Sequence, residues 1–358
     1  MALPTVFVNE DEKKNMNRSK ILSVLFVSSL CAFSASSEES YLAPLAKESL
    51  LLDVAKTNTQ IISVGERGHI LLSEDGENWQ QQTVPTLSTL TAVTAIDNQI
   101  WAVGHDAVIL HKSAASQPWQ LQMFAPELQK PLLDVTFLNS QEGIAIGAYG
   151  TFLRTTNGGA DWKKEVHREF LHPDDIDYLE EIRAEDEDFY QSELASILPH
   201  LNKILVAGET IYIAGESGLL AKSDDKGFTW QRMDVNYFGS FFDIQQINNG
   251  DIVAVGLRGN IFKFSSESAQ WIQIRSGMTS SLNTIIPYSE SQFIAMGNSG
   301  NIVCVNGDDV QKAHFEDGKA INAALNVQNQ IIIASAMGMK SILYRDDMTV
   351  CEGINSGL

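Results

Sequence analysis

Short apolar runs of four to six residues, parted by turn residues, recur along most of the chain. LLDVAK, IISVG and ILLS come first, and LLDVTFL, GIAIG and TFLRT repeat them. Runs this short, rich in Ile, Val, Leu and Phe and broken by Gly, Asn, Asp and Ser, are strand signals. A Gly-rich turn keeps the beat: VGERGHILL from Val64, VGHDAVIL from Val103, IGAYGTFL from Ile146, AGESGLLA from Ala214, VGLRGNIF from Val255, MGNSGNIV from Met296 and a degenerate SAMGMKSIL from Ser335. Tryptophans mark the unit ends at 79, 119, 162, 230 and 271, in steps of 40, 43, 68 and 41. Seven units follow, opening near Leu51, Leu90, Leu132, Leu201, Phe241, Leu282 and Ile321.

Four antiparallel strands in a unit of about forty residues make a propeller blade. One blade cannot bury both of its faces, whereas seven in a ring can. The pattern therefore predicts an all-β chain: a seven-bladed β-propeller of four-stranded blades over 51–358, after a short lead at 37–50. The long tryptophan step predicts an acidic, partly helical insertion at 169–200, between blades 3 and 4. The glycines of G-x-x-G are expected to supply the positive φ of a tight hairpin between the second and third strands.

Between the third and fourth strands of the fourth unit lies Ser223-x-Asp225-x-Gly227-x-Thr229-Trp230, the Asp-box spacing. Its Ser and Asp can bond local amides while its Trp packs between blades. The box is nearly intact at 155–162, eroded at 72–79, and reduced to Trp119 and Trp271 in units 2 and 5; unit 6 has Val310 at that place. Such decay suits a packing device better than a reactive centre, so these residues are read as structural.

Composition changes the picture in three places. The formal net charge of −20 argues against nucleic-acid binding. Half of that charge sits at 169–200, where eleven Asp and Glu face Arg183 alone. The run MNRSKILSVLFVSSLCAFSASS from Met16 has a basic start, an apolar core and small residues after it, which is a secretory signal peptide. Residues 1–36 are thus extension and signal, with translation expected from Met16 and a periplasmic or secreted product. Cys31 follows Ser28-Ser29-Leu30, a poor lipidation signal, and no lipid anchor is expected. Signal removal leaves Cys304 and Cys351. A disulfide is allowed in an exported protein, but two semi-buried strand thiols are the plainer expectation.

LLDVAK…ISVGERGHILLSEDGENW, LLDVTFLNSQEGIAIGAYGTFLRTTNGGADW and AGESGLLAKSDDKGFTW resemble the photosystem II stability/assembly factor family of BNR-repeat propellers, over essentially the whole mature chain. The resemblance implies a seven-bladed exported protein that assists, without catalysis, the assembly of a membrane protein. Photosynthetic members are said to use a basic arginine patch, whereas this chain is acidic. What carries over is a partner-binding scaffold, its partner a membrane transporter or other membrane protein.

In such a ring the G-x-x-G turns and the blade-to-blade connections share one face, and the insertion emerges there. The turns offer Glu66, Arg67, His69, His105, Asp106, Tyr149, Glu216 and Arg258 around the channel, either as a convergent binding ring or as solvated turn residues. The insertion has a helix start at Pro173, with Ile176, Leu179, Ile182 and Phe189 on one face and Leu194, Ile197 and Leu198 on a second. Asp174, Asp175, Asp177, Glu180 and Glu181 make it a docking arm for a basic partner or an acidic helix packed on the rim. They lack the Gly and distal Glu of a calcium loop. His167 and His172 find no third ligand and are read as surface histidines, so neither metal nor cofactor is expected.

The competing class is a glycan-binding protein or glycoside hydrolase working on the channel face. A sialidase-like site would draw on Arg67, Arg154, Arg258, Tyr149 and Glu216, and a retaining glycosidase on two carboxylates about 5 Å apart. The arginine-bearing lead motif is absent and its region is signal peptide. The expectation is therefore a non-catalytic scaffold.

Overall fold

The computed structural model describes residues 38–265, 268–289, 291–328, 330–344 and 350–356. The signal segment, the start at Met16 and Cys31 lie outside them. Seven antiparallel sheets form the ring, each running in sequence order from its inner strand outward. The inner strands are Leu51–Lys56, Leu90–Ile96, Leu132–Phe137, Leu201–Ala207, Phe241–Gln246, Leu282–Pro287 and Ile321–Val327. Each opens at the residue where the repeat places a new unit. Neighbouring inner strands touch around the circle, and the seventh closes on the first. Second strands such as Ile61–Gly65 and Ile252–Gly256 are buried along their whole length, which explains their unbroken apolar runs.

All seven inner strands carry a register shift between their first and third residues. This bulge leaves the second and third side chains free to reach the next blade. Asp53, Asp134 and Asp243 accept the N–H of Val93 (2.9 Å), Ile204 (2.9 Å) and Ile285 (2.7 Å) across seams 1–2, 3–4 and 5–6. Thr91, Asn202, Asn283 and Asn322 donate to the carbonyls of Leu132 (2.7 Å), Phe241 (2.7 Å), Ile321 (2.9 Å) and Leu51 (2.8 Å) across the other four. Every seam thus has a side-chain bond to backbone.

The two turn glycines do different work, which corrects the expectation of positive φ for both. The first is extended, with φ of −171° at Gly65 and Gly256. A Cβ there would sit 2.1 Å from the Leu50 carbonyl oxygen at Gly65 and 2.0 Å from that of Ser240 at Gly256. The same carbonyls accept the N–H of Glu66 (3.1 Å) and Leu257 (2.9 Å), so glycine is needed for close approach. Only the second glycine is left-handed, as at Gly68 (φ 69°) and Gly259 (φ 74°).

The Asp box forms as its spacing implies. Asp225 accepts the Thr229 N–H at 2.9 Å and the Thr229 hydroxyl at 2.7 Å, and the Ser223 hydroxyl also reaches it at 2.7 Å. These bonds, the Thr229 amide first, hold its carboxyl down at about 2. Trp230 packs on Ile144 and Phe152 of blade 3 and donates its indole N–H to the Gly227 carbonyl at 3.0 Å. The eroded box of blade 1 makes the same set: Asp75 accepts the N–H of Asn78 and Glu77, and Trp79 donates to Gly76. Among the described residues the indole N–H groups of Trp119, Trp162 and Trp271 are buried without a partner, in blade 3 even though Thr155 and Asn157 keep the bonds of its box.

Blade 7 departs from the four-stranded expectation. Among the described residues it has three strands, Ile321–Val327, Gln330–Ser335 and Gly338–Leu343, and no tryptophan. A C-terminal helix, Val350–Ser356, brings Val350 and Cys351 into the apolar cluster of Ile294, Ile302, Ile331 and Ile342 at the seam with blade 6. Cys351 is bonded to Cys304 of blade 6, S–S 2.09 Å, so the expected pair of strand thiols is instead a disulfide between a strand and a helix.

The insertion runs between blades 3 and 4 as two helices, α1 (Pro173–Glu185) and α2 (Glu187–Ile197); the C-terminal helix is α3 (Val350–Ser356). Pro173 opens α1, and the Asp186 side chain caps α2 at Phe189 N–H. Leu179, Leu194 and Leu198 are buried as the periodicity implies, with Ile176, Ile182 and Ile197 packed beside them. Phe189 is exposed instead, because α1 ends at Glu185 and the new helix turns Tyr190 inward.

Candidate functional site on the turn face

Six of the seven turns hold a non-glycine residue in the left-handed region just before the second small residue: Arg67, Asp106, Tyr149, Ser217, Arg258 and Ser299, with φ of 55°, 59°, 52°, 53°, 58° and 58°. All six are exposed. The turn imposes this backbone, and the side chain stands clear of the ring.

The sequence-selected ring residues divide by their commitments. Asp106 accepts the Ser88 hydroxyl at 2.5 Å, and Glu66 accepts the Leu50 N–H at 3.4 Å. Glu216 accepts the His200 N–H at 3.2 Å and lies 3.5 Å from its Nδ1. His105 is exposed beside Asp106. His69 is buried, not on the ring, with Nδ1 unpartnered among the described residues, and burial pulls its pKa down. Arg67 and Arg258 are exposed and make no ion pair among the described residues. Tyr149 meets the His200 ring edge-on at 4.6 Å, with the Lys130 ammonium 5.4 Å from its centroid. The turn face thus presents two open guanidinium groups and a cation-flanked tyrosine, while its carboxylates serve the local frame.

The other enzyme candidate, Arg154, is not at this site. It is bidentate to Glu165 at 2.7 and 2.9 Å and donates to the Lys226 and Gly227 carbonyls of the blade 4 Asp box. That seam role takes it out of any substrate-carboxylate clamp. His167, read as a surface histidine, is buried beside Glu165 (3.3 Å), and burial pulls its pKa down.

The helical hairpin rises from the same face. Phe170, Leu179, Tyr190, Leu194 and Leu198 pack it onto Phe152 and Trp230, so it is part of the blade 3–4 core. Of its five selected carboxylates, Glu180 is hydrogen-bonded to Arg168, Asp174 lies 3.5 Å from His172, and Asp175 is half-buried. Asp177 and Glu181 are exposed with no ion pair among the described residues, next to the exposed Tyr178. At the foot of the hairpin a groove of about 390 Å³ is lined by His172, Arg232, Tyr237 and Phe238, among others.

Sequence reasoning missed the charged cluster inside the channel. Lys203 of blade 4 stands 3.3 Å from Asp134, with Asp53 and Asp243 close enough to act on it. Burial pulls the Lys203 pKa down, but the three carboxylates outweigh it and hold the ammonium charged. Burial raises Asp134 to about 6 and also raises Asp243. The signal was present: LLDVAK, LLDVTF and FFDIQQ each set an Asp third in an apolar inner strand.

A family model described as "Photosynthesis system II assembly factor YCF48" matches residues 112–314, more than half of the chain. The chain belongs to this family. The resemblance drawn from the repeat motifs is thereby borne out. Two curated relatives named "Photosystem II assembly lipoprotein Ycf48" are 24% identical: one from Synechococcus sp. (strain CC9902) over 206 residues, 56% of this chain, and one from Prochlorococcus marinus (strain MIT 9312) over 190 residues, 45% of this chain. The chain spans about half the length of these YCF48 proteins, 54% of each. Solved structures share the fold. "YCF48 bound to D1 peptide" has a TM-score of 0.64 at 14% identity over 87% of this chain and 100% of that one; YCF48 from Cyanidioschyzon merolae has 0.64 at 15% over 87% and 99%. The family model describes an assembly factor, and the two curated YCF48 relatives are named for assembly. They are also named lipoproteins, which corrects the expectation, drawn from Ser28-Ser29-Leu30, that a lipid anchor is absent. No helix among the described residues is long and apolar enough to cross a membrane.

Proposed function

We propose that the chain is an exported, non-catalytic assembly or stability factor that holds an extended segment of a membrane-associated client on its turn face. The observation that carries this reading is that the exposed guanidinium groups of Arg67 and Arg258 make no ion pair among the described residues, on the face that also bears Tyr149 and the acidic hairpin. Two open arginines and an aromatic on one face suit a client's carboxylate and backbone carbonyl groups. Asp177 and Glu181 supply the opposite sign for a client's basic residues. Family membership supports the role, and a YCF48 structure described as bound to a peptide supports the kind of ligand. The disulfide supports export, since such bonds persist in oxidising compartments.

The test is capture of a client from membrane extracts. Deleting 169–200 is unsuitable, because it removes Phe170, Leu179 and Tyr190 from the core. Surface charge reversals serve instead. Arg67→Glu with Arg258→Glu should lower client recovery at least about tenfold, and Asp177→Lys with Glu181→Lys by roughly threefold, with unchanged thermal unfolding. Full recovery by both double variants would refute the turn-face site.

A further inference from the structure

We propose that the Cys304–Cys351 disulfide is a thiol–disulfide exchange site, opened from the Cys304 side by a dithiol reductant, and that opening it releases α3 from the seam between blades 6 and 7. This does not depend on the client-binding reading above.

The two sulfurs are unequal. Cys351 is fully buried in the seam. Cys304 is half-buried and lines a cavity of about 190 Å³ with Tyr288, Asn306, Asp309, Gln311 and Glu352. Exchange is governed by which sulfur an incoming thiolate can reach, and here that is Cys304. The thiolate of the reductant bonds to Cys304 Sγ, the protein S–S bond breaks, and Cys351 leaves as a thiolate that takes up a proton. The second thiol of the reductant then attacks the mixed disulfide, freeing Cys304 as a thiol and closing the reductant's own disulfide. Two electrons and two protons pass from dithiol to protein.

The cavity walls set the class of reductant. Asp309 puts a carboxylate beside the approach, which slows anionic thiols such as glutathione and favours neutral or cationic ones. The consequence follows from the size of α3. It has seven residues, too few for an isolated helix to hold in water. Beyond the bond it is held by Val350, Cys351 and Ile354, by a contact of Glu352, and by the Asn355 amide, which donates to the Lys312 carbonyl at 3.0 Å. Its departure uncovers Ile302 of blade 6 together with Ile331 and Ile342 of blade 7, the blade that lacks a fourth strand among the described residues.

The experiment uses the folded, oxidised protein in native buffer. Cysteamine, dithiothreitol and glutathione are supplied at equal thiolate concentration, with thiols counted by maleimide mass tagging and α3 amides followed by hydrogen exchange. The expected result is native-state reduction with cysteamine ahead of glutathione by roughly tenfold at low salt, narrowing to about twofold at 1 M salt. The first adduct maps to Cys304, and α3 exchange rises while sheet circular dichroism is kept. Asp309→Asn should narrow the gap between the two monothiols. Reaction only in denaturant, a first adduct on Cys351, or α3 exchange unchanged on reduction would overturn the proposal.

Discussion

Blade 4 brings Trp230 to its seam with blade 3, whereas blade 7 brings no tryptophan to blade 6 and is served by α3 instead. Both seams are filled with apolar side chains. In the first, filling and fixing come from one residue, whose indole packs on Ile144 and Phe152 while its N–H is held by Gly227. In the second they are separated: Val350 and Ile354 fill, and a covalent bond fixes. A packed seam fails only when the fold fails. A seam closed by a disulfide can be opened by chemistry while the remaining blades stand.

The largest expected effect tests which seam carries more. Trp230→Ala should cost about 3–5 kcal/mol, against about 2–4 kcal/mol for Cys304→Ser with Cys351→Ser. Urea unfolding of both variants measures this, and a smaller loss for Trp230→Ala would reverse the ranking. Next come the side-chain ties. Asn202→Ala at seam 4–5 and Asn322→Ala at seam 7–1 each remove one bond to backbone, worth about 1 kcal/mol in urea midpoints. Equal losses would show that the closing seam is no weaker than an internal one; a larger loss for Asn322→Ala would mark blade 7 as the point of opening.

The smallest effect is a pH slope from the channel beside blade 4. Burial raises Asp134 to about 6, above the value it takes unfolded. The folded ring therefore binds that proton more tightly, and this group adds stability as pH falls through about 6 and withdraws it as pH rises. Asp134→Asn keeps an acceptor for Ile204 N–H and should flatten that component between pH 5 and 7, read from urea midpoints at both values.

What could be read from the sequence was what repeats. Blade boundaries were legible because each inner strand opens on the same apolar beat, and the Asp box because its spacing encodes its own bonds. The box of blade 1 looked eroded, yet Asp75 makes the bonds of Asp225, since Asn78 supplies the donors that Thr229 does. What occurs once was hidden. The pairing of Cys304 with Cys351 depends on where α3 packs, and no periodicity reports that. On the turn face, residue type was visible but commitment was not: Glu216 and Arg67 both look free in the sequence, and only contacts separate the carboxylate held by His200 from the open guanidinium.

The left-handed turn positions have one more consequence. Arg67, Asp106, Tyr149, Ser217, Arg258 and Ser299 share one backbone conformation yet differ in charge, size and polarity. The glycines and carbonyls on either side hold the turn, and of the variable side chains only Asp106, bonded to Ser88, serves the frame. A lineage can therefore rewrite the chemistry of this face one blade at a time, like changing letters in a fixed line of type, and leave the ring that displays them untouched.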